Sequence, residues 1–205
     1  MRKIESILTV AILAGCICSC GPNRTAGAAG QEPKRLTARV FNSGFPQGHS
    51  AFNGMLSASD GKIYYVLCTD SLDTGAQMFS YDPATGRITH VGDLTEAAGE
   101  KGLKAIPQGK SHVNFVESNG KLYFSTHLGY YSIQDGMEKS GVAPAGYKPY
   151  PGGHFLAYDM ATGQFEHFGT APHGEGIITM NMDARFTGVV IPPPARMAPR
   201  THSRR

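Results

Sequence analysis

The sequence contains no tryptophan, and its few cysteines are poorly placed for disulfide bonds. Three of the four, Cys16, Cys18 and Cys20, lie together near the N terminus, which leaves Cys68 alone in the rest of the chain. No internal disulfide framework is therefore expected, and we expect Cys68 to be a buried or partly buried free thiol. The sequence also has no phosphate loop, zinc-finger spacing, helix-turn-helix or RNA-binding pattern, so we expect no nucleic-acid partner.

Acidic residues are absent after Asp183, which makes the formal net charge of +3 misleading. Five of the 19 Lys and Arg residues follow that position, so residues 1–184 carry 14 basic against 16 acidic side chains. The main part of the chain is thus slightly acidic. We interpret the Pro- and Arg-rich segment 185–205 as a disordered basic tail, because its part from Ile191 onward has no interleaved aromatic residues. A second interpretation is translation out of frame.

The N terminus has the pattern of a secretion signal. Arg2-Lys3 precedes an apolar segment, Ile7 to Leu13, that is too short to span a bilayer as a helix. The following residues, Leu13-Ala14-Gly15-Cys16, resemble a bacterial lipobox, and this resemblance implies cleavage before Cys16 and acylation of that cysteine. We therefore expect a signal peptide over 1–15 and a flexible tether over 16–35. The protein would be extracytoplasmic and lipid-anchored in the cell membrane or the outer membrane.

Glycine and proline are abundant, at 26 and 13 residues, and the chain repeats itself. Gly61-Lys62-Ile63-Tyr64-Tyr65 returns as Gly120-Lys121-Leu122-Tyr123-Phe124, and Tyr81-Asp82-Pro83-Ala84-Thr85-Gly86 returns as Tyr158-Asp159-Met160-Ala161-Thr162-Gly163. Pro46, Pro107 and Pro172 mark successive units at spacings of 61 and 65 residues. Removing insertions of 12 and 18 residues leaves units of 49 and 47 residues. Such periods are typical of arrays whose units stack to bury their apolar faces.

Each complete unit contains four predicted strands, which we label A to D. In chain order they cover 51–58, 62–68, 77–81 and 87–91 in the first unit, and 113–117, 121–127, 155–158 and 164–168 in the second. The segment 177–182 is predicted to be strand A of a third unit. The segment 36–42 alternates like a strand of a further one.

Four antiparallel strands joined by short turns resemble a β-propeller blade. The Asp-x-x-Thr-Gly turn between strands C and D is similar to the turn of kelch-like and quinoprotein-like propellers. We therefore expect an all-β fold over 36–184, namely a partial β-propeller with two four-stranded antiparallel blades and the first strand of a third. Propellers normally close with four to eight blades, so the chain resembles a truncated one. Uncovered strand edges would leave it marginally stable.

Strand direction predicts which connections share a face. The D-to-A and B-to-C connections emerge together, and both insertions, 95–106 and 128–153, fall there. Repeat proteins often bind ligands on such a face. Exposed tyrosines suit stacking on sugars or on a protein partner, and histidines suit a divalent metal or proton transfer. The candidate residues are His49, Lys110, His112, His127, Tyr130, Tyr131, Tyr147, Tyr150, His154 and His173, of which the five histidines are the metal candidates.

Three functional hypotheses remain open at this point. In the first, a lipid-anchored propeller binds a carbohydrate or protein ligand through its insertion-bearing face. In the second, the protein is a metal-assisted polysaccharide lyase. Oligogalacturonate lyases are propellers that use histidines and a glutamine around a metal on such a face, and this chain resembles them in architecture alone. In the third, the chain is an inactive truncated product.

Overall fold

The computed structural model describes residues 36–140, 142–182 and 189–190. The predicted signal peptide, tether, lipidation site and nearly all of the predicted tail lie outside these residues. The chain divides into two compact units, one ending at Val40 and one beginning at Phe41. Within 36–42 there is no strand, so the strand predicted there is wrong. The sheets and the candidate site belong to the second compact unit.

The first sequence repeat folds into a four-stranded antiparallel sheet, sheet 1. Its strands β1 to β4 neighbour one another in chain order and cover Met55–Ser57, Ile63–Leu67, Gln77–Asp82 and Arg87–Asp93. Gly61 and Gly86 in the turns have φ of 83° and 71°, a conformation that glycine adopts without steric cost. The Asp82 carboxylate accepts hydrogen bonds from the Ala84 N–H and the Thr85 hydroxyl. These bonds explain the Asp-x-x-Thr-Gly pattern as a turn.

The second repeat folds into sheet 2, which has the same strand order. The short helix α1 covers Leu94–Ala97. The strands that follow, β5 to β10, cover in chain order Val116–Ser118, Lys121–Ser125, Tyr131–Gln134, Met137–Ser140, His154–Asp159 and Gln164–Thr170. Sheet 2 consists of β5, β6, β9 and β10, while β7 and β8 form a separate hairpin inside the second insertion. Of the predicted strand 177–182, only β11 (Asn181–Met182) is a strand, and it pairs with β12 (Val189–Val190). The all-β prediction and the two four-stranded antiparallel units are confirmed.

The two sheets match in register as well as in strand order. In sheet 1 the last strand has a β-bulge between His90 and Gly92. In sheet 2 the last strand has a bulge between His167 and Gly169, at the same position of the repeat. Both repeats therefore share the β-bulge of the last strand as well as the four-strand pattern. A bulge of this kind bends an edge strand.

Sheet 2 packs against one face of sheet 1. The rings of Tyr64 and Tyr158 lie 5.7 Å apart across the interface. Gly92 leaves room for an aromatic ring, because a Cβ at this position would lie 2.6 Å from Cε2 of Phe165. The shared core includes the buried side chains of Val66, Met78, Leu122, Phe124 and Leu156. Each sheet thus buries its apolar face against its neighbour, as expected for stacked repeats.

Cys68, in the connection after β2, is buried and is a free thiol, as predicted. Burial raises the pKa of this thiol, so it stays protonated at neutral pH. A buried thiol of this kind behaves as a small apolar side chain.

Candidate ligand-binding face

Three long connections meet at one end of the two sheets, which we call the insertion face. They are residues 68–76, 94–115 and 126–153. Backbone hydrogen bonds join them: the Ala76 N–H donates to the Gln108 carbonyl, and the Ile106 N–H donates to the Lys148 carbonyl. The side chains of Ile106, Leu128 and Tyr150 form a small buried cluster between the two insertions. The insertions therefore lie on one face, as the strand directions predict.

A cleft of about 360 Å³ opens on the insertion face beside α1. Asp93 is one of the lining residues. Its carboxylate caps α1 by accepting hydrogen bonds from the N–H groups of Thr95 and Glu96. The Tyr147 hydroxyl donates to Asp73 at 2.5 Å and links the second insertion to the connection 68–76. The charged residues of the lining are Asp73, Asp93, Glu96, Glu100, Lys101 and Lys104. The cleft thus offers hydrogen-bond donors and acceptors in close proximity.

A buried polar network lies behind the cleft and centres on Gln108. Its amide nitrogen donates to Glu100 and to the Gly152 carbonyl, each at 2.9 Å. Its amide oxygen accepts from the hydroxyls of Thr126 and Tyr150, each at 2.6 Å. Burial holds the pKa of the Tyr150 hydroxyl well above its usual value, so this group remains a donor. Every hydrogen-bonding group of the Gln108 side chain is therefore satisfied.

A chain of hydrogen bonds runs from this network to the surface through two histidines. Nε2 of the buried His154 lies 2.6 Å from Glu100, and its Nδ1 lies 2.8 Å from Nε2 of His167. His154 thus joins Glu100 on one side of its ring to His167 on the other. The exposed His167 ends the chain. The arrangement ties the first insertion to the last two strands of sheet 2.

A second group of side chains on the insertion face surrounds Lys110, and we call it the Lys110 recess. The Lys110 ammonium lies 4.6 Å from the centre of the Tyr131 ring and 5.6 Å from that of Phe52. It also lies 3.3 Å from Asp70, and His49 contacts the same carboxylate oxygen at 3.2 Å. The Lys110 side chain is only 10% exposed, whereas Asp70 is 59% exposed. The recess therefore holds a nearly buried cation beneath aromatic faces.

His112 and His127 complete the Lys110 recess as two neutral imidazoles. The His112 ring stacks on Phe52 at 4.2 Å and meets the His127 ring edge-on at 4.7 Å. Burial, with the neighbouring His127 and Lys110, lowers the pKa of His112 to about 4. Burial also lowers the pKa of His127, against the opposing effect of its hydrogen bond with the Leu128 carbonyl. Both rings are uncharged at neutral pH and can donate or accept hydrogen bonds.

The structure separates the residues predicted to share one site. Five of them meet in the Lys110 recess: His49, Lys110, His112, His127 and Tyr131. Tyr147 lines the cleft, while Tyr150 and His154 belong to the buried network. Tyr130 packs against the cluster around Ile106, and His173 is exposed.

The five candidate histidines do not assemble into a metal site. Within the described residues, no three His, Cys, Asp or Glu side chains are placed to hold a metal ion together. The recess pairs His112 with His127, whereas His154 is occupied by Glu100 and His167. These residues do not fit the divalent metal considered from the sequence.

Several residues of the insertion face could not be identified from the sequence. Glu100 lies in the first insertion, where one carboxylate among several charged residues has no distinguishing pattern. Phe52 precedes β1 and Asp70 follows β2, so both are far in sequence from Lys110. Gln108 was marked only by the recurring Pro-Gln-Gly that starts each of the first two units. Non-local convergence of this kind becomes visible only in the folded chain.

No protein-family model matches the chain, and a search of curated proteins finds no significant match either.

Proposed function

We propose that the protein is a lipid-anchored, extracytoplasmic β-propeller-type protein that binds a carbohydrate on its insertion face. The observation that carries the proposal is the Lys110 recess, where partly exposed aromatic rings, neutral imidazoles and a carboxylate lie together. The cleft beside α1 adds a concave surface built from the same connections. The lipobox-like sequence ending at Cys16 supports the anchored location. The only helix in the described part of the chain, α1, is too short to cross a membrane.

Carbohydrate chemistry matches the recess because a sugar ring presents both apolar C–H faces and hydroxyl groups. Phe52 is 41% exposed although it stacks on His112, so part of this residue remains accessible to a sugar. Asp70 can accept hydrogen bonds from hydroxyls, and Lys110 can donate to them. Sites of this kind combine aromatic surfaces with a few fixed polar groups.

The cleft supports the same ligand class through its mixed charges. Its lining carries four acidic and two basic side chains, and one pair, Lys101 and Glu96, is joined at 2.8 Å. A strongly anionic or cationic ligand would meet like charges in such a lining. A neutral or weakly charged ligand with many hydroxyls would find both donors and acceptors.

An oligosaccharide array probed with the purified chain tests the proposal. We expect at least one glycan class to bind the wild-type chain. Phe52→Ala is expected to weaken this binding, whereas Thr89→Ala, an exposed change on β4, is the matched control and should leave it unchanged. An array without signal, or equal signals from the wild type and Phe52→Ala, would contradict carbohydrate binding at this face.

Polysaccharide cleavage at the same face is a second candidate function. It is favoured by one observation: His112 and His127 are held uncharged beside Lys110, so a proton acceptor and a cation are adjacent. Elimination next to a uronic acid needs a general base within reach of the proton that is removed. Formation of unsaturated sugars from a panel of uronate polysaccharides, lost in His112→Ala, would support cleavage. Absence of such products from the wild-type chain would exclude it for that panel.

A further inference from the structure

One connection takes part in both concave features of the insertion face. Residues 68–76 contribute Asp70 to the Lys110 recess, and they contribute Leu72 and Asp73 to the cleft beside α1. No residue of the recess is among those that line the cleft. The recess and the cleft are therefore separate sites that share a connection.

The two sites lie within reach of one short ligand. Asp70 and Asp73 are three residues apart in the sequence, so their Cα atoms are separated by at most about 10–11 Å. Leu72 lines the cleft, and Tyr131 lies against Lys110 in the recess. Both of these side chains pack against the small buried cluster between the two insertions. The recess and the cleft therefore adjoin on the insertion face.

Hydrogen bonds within the connection fix the spacing of the two sites. The Ser71 N–H donates to the Thr69 hydroxyl at 3.0 Å, and the Asp73 N–H donates to the Ser71 hydroxyl at 3.1 Å. Both ends are held by the first insertion, because the N–H groups of Thr69 and Ala76 each donate to one of its carbonyls at 2.9 Å. A surface that is already ordered in this way loses less entropy when a ligand binds.

Two carboxylates on this connection disfavour an anionic ligand. Asp70 is 59% exposed, and Asp73 is also exposed. The nearest cation in the recess, Lys110, is only 10% exposed and already lies 3.3 Å from Asp70. A glycan with a negative charge on each sugar would meet like charges at both sites, which counts against its binding. The hydroxyls of a neutral glycan can instead donate hydrogen bonds to both carboxylates.

We propose that the ligand of the insertion face is a neutral, linear oligosaccharide that occupies the Lys110 recess and the cleft beside α1 together. This inference rests on the proposed carbohydrate function and specifies the charge and the length of the glycan. One sugar unit stacks beside Phe52 in the recess. The units that follow run along the connection 68–76 into the cleft, where their hydroxyls reach Asp73 and Tyr147. Because both contacts belong to one molecule, the second forms at a high effective concentration.

The dependence of affinity on glycan length tests the proposal. The probes are malto-, cello-, xylo- and manno-oligosaccharides, each from the monosaccharide to the hexasaccharide, titrated into the purified chain in a calorimeter. Two linked contacts predict that the hexasaccharide of the series that binds does so at least about tenfold more tightly than its disaccharide. Equal affinities at every length, or binding of anionic glycans alone, would overturn the proposal.

The two carbohydrate proposals fail in different ways. An array without any signal would overturn carbohydrate binding itself, and this inference with it. A glycan that binds in a manner sensitive to Phe52→Ala, yet with one affinity at every length, would overturn only the occupation of both sites.

Variants of the cleft show where the added affinity arises. Tyr147→Ala removes the hydroxyl that contacts Asp73, and Lys104→Asn shortens an exposed side chain of the lining at a φ of 47°, which Asn tolerates. We expect each variant to bind the hexasaccharide about two- to tenfold less tightly, the equivalent of one lost hydrogen bond. The gap between hexasaccharide and disaccharide should therefore narrow.

Thr89→Ala, the exposed change on β4, is the matched control and should keep the gap of the wild-type chain. Lys104→Asn decides the outcome if Tyr147→Ala lowers the melting temperature. A gap that stays as in the wild-type chain in the folded cleft variants would overturn the proposal.

Discussion

The neutral histidines of the Lys110 recess make the stability of the fold depend on pH. In the unfolded chain their pKa is about 6.5, whereas that of His112 in the folded chain is about 4. Below pH 6.5 the unfolded state therefore binds protons that the folded state does not, and protonation favours unfolding. We predict that the free energy of unfolding falls as the pH drops from about 6.5 to 4. Denaturant titrations at several pH values measure this slope.

Replacing His112 identifies the source of that slope. His112→Asn removes one titrating ring, so we expect a shallower fall in stability over the same pH window. His173→Asn is the matched control, because His173 is exposed and should leave the slope unchanged. A slope that is the same in the wild type and His112→Asn would show that other groups control it.

Gly129 lies where two backbone segments approach too closely for a side chain. A Cβ at Gly129 would overlap the carbonyl oxygen of Thr69, and the Cα of Gly109 lies 2.8 Å from the same position. Since backbone atoms cannot move aside cheaply, we predict that Gly129→Ala lowers stability by roughly 1–3 kcal/mol or more. Gly169→Ala is the control, because no described atom lies within 4 Å of its Cβ position. Equal stabilities for the two variants in chemical denaturation would contradict this packing.

At the scale of elements, the buried pair of Glu100 and His154 fastens the first insertion to sheet 2. Glu100→Ala leaves the His154 ring and the Gln108 amide without their carboxylate partner, and each buried polar group that loses its partner costs roughly 1–3 kcal/mol. Glu96→Ala removes a carboxylate from the same insertion, yet Glu96 pairs with Lys101 only at the surface. We expect that control to cost roughly 0–1 kcal/mol. Thermal melts of both variants measure the difference, and similar losses would contradict the fastening role.

The strands of the two sheets could be predicted because both the residue pattern and the turn chemistry repeat. The predicted strand at 62–68 became β2, one residue shorter at each end, and that at 121–127 became β6, two residues shorter at its C-terminal end. The hairpin of β7 and β8 was not predicted, although its Asp135-Gly136 turn is a known signal. Both turn residues have positive φ, 52° and 73°. Insertion loops interrupt the repeat, so the comparison that located the other strands did not apply there.

The candidate site was only partly predictable for a related reason. Strand direction correctly placed both insertions on one face, because antiparallel order decides which connections lie together. Strand direction does not show which side chains of the insertions point into the protein. Tyr150 was expected to be an exposed aromatic residue, but it is fully buried against Gln108. His167 is exposed and yet contacts the buried His154.

At the scale of the whole molecule, the proposed lipid anchor predicts where the protein is found in cells. Lipidation of Cys16 should hold the mature chain in the membrane fraction, and its N-terminal peptide should carry acyl chains detectable by mass spectrometry. Cys16→Ser should remove the acyl chains and prevent membrane retention by the anchor. Cys18→Ser is the matched control, because the lipobox-like sequence ends at Cys16. A membrane-bound, acylated Cys16→Ser variant would contradict anchoring at this residue.

The binding affinity of the intact chain for its strongest array glycan tests the central claim most directly. We predict that Phe52→Ala weakens this affinity by about two- to tenfold, because an aromatic contact is worth roughly 0.5–1.5 kcal/mol and 1.4 kcal/mol corresponds to a factor of ten. Thr89→Ala should bind as the wild-type chain does. An affinity unchanged by Phe52→Ala, or the lack of any glycan that binds the wild-type chain, would contradict carbohydrate binding at the Lys110 recess.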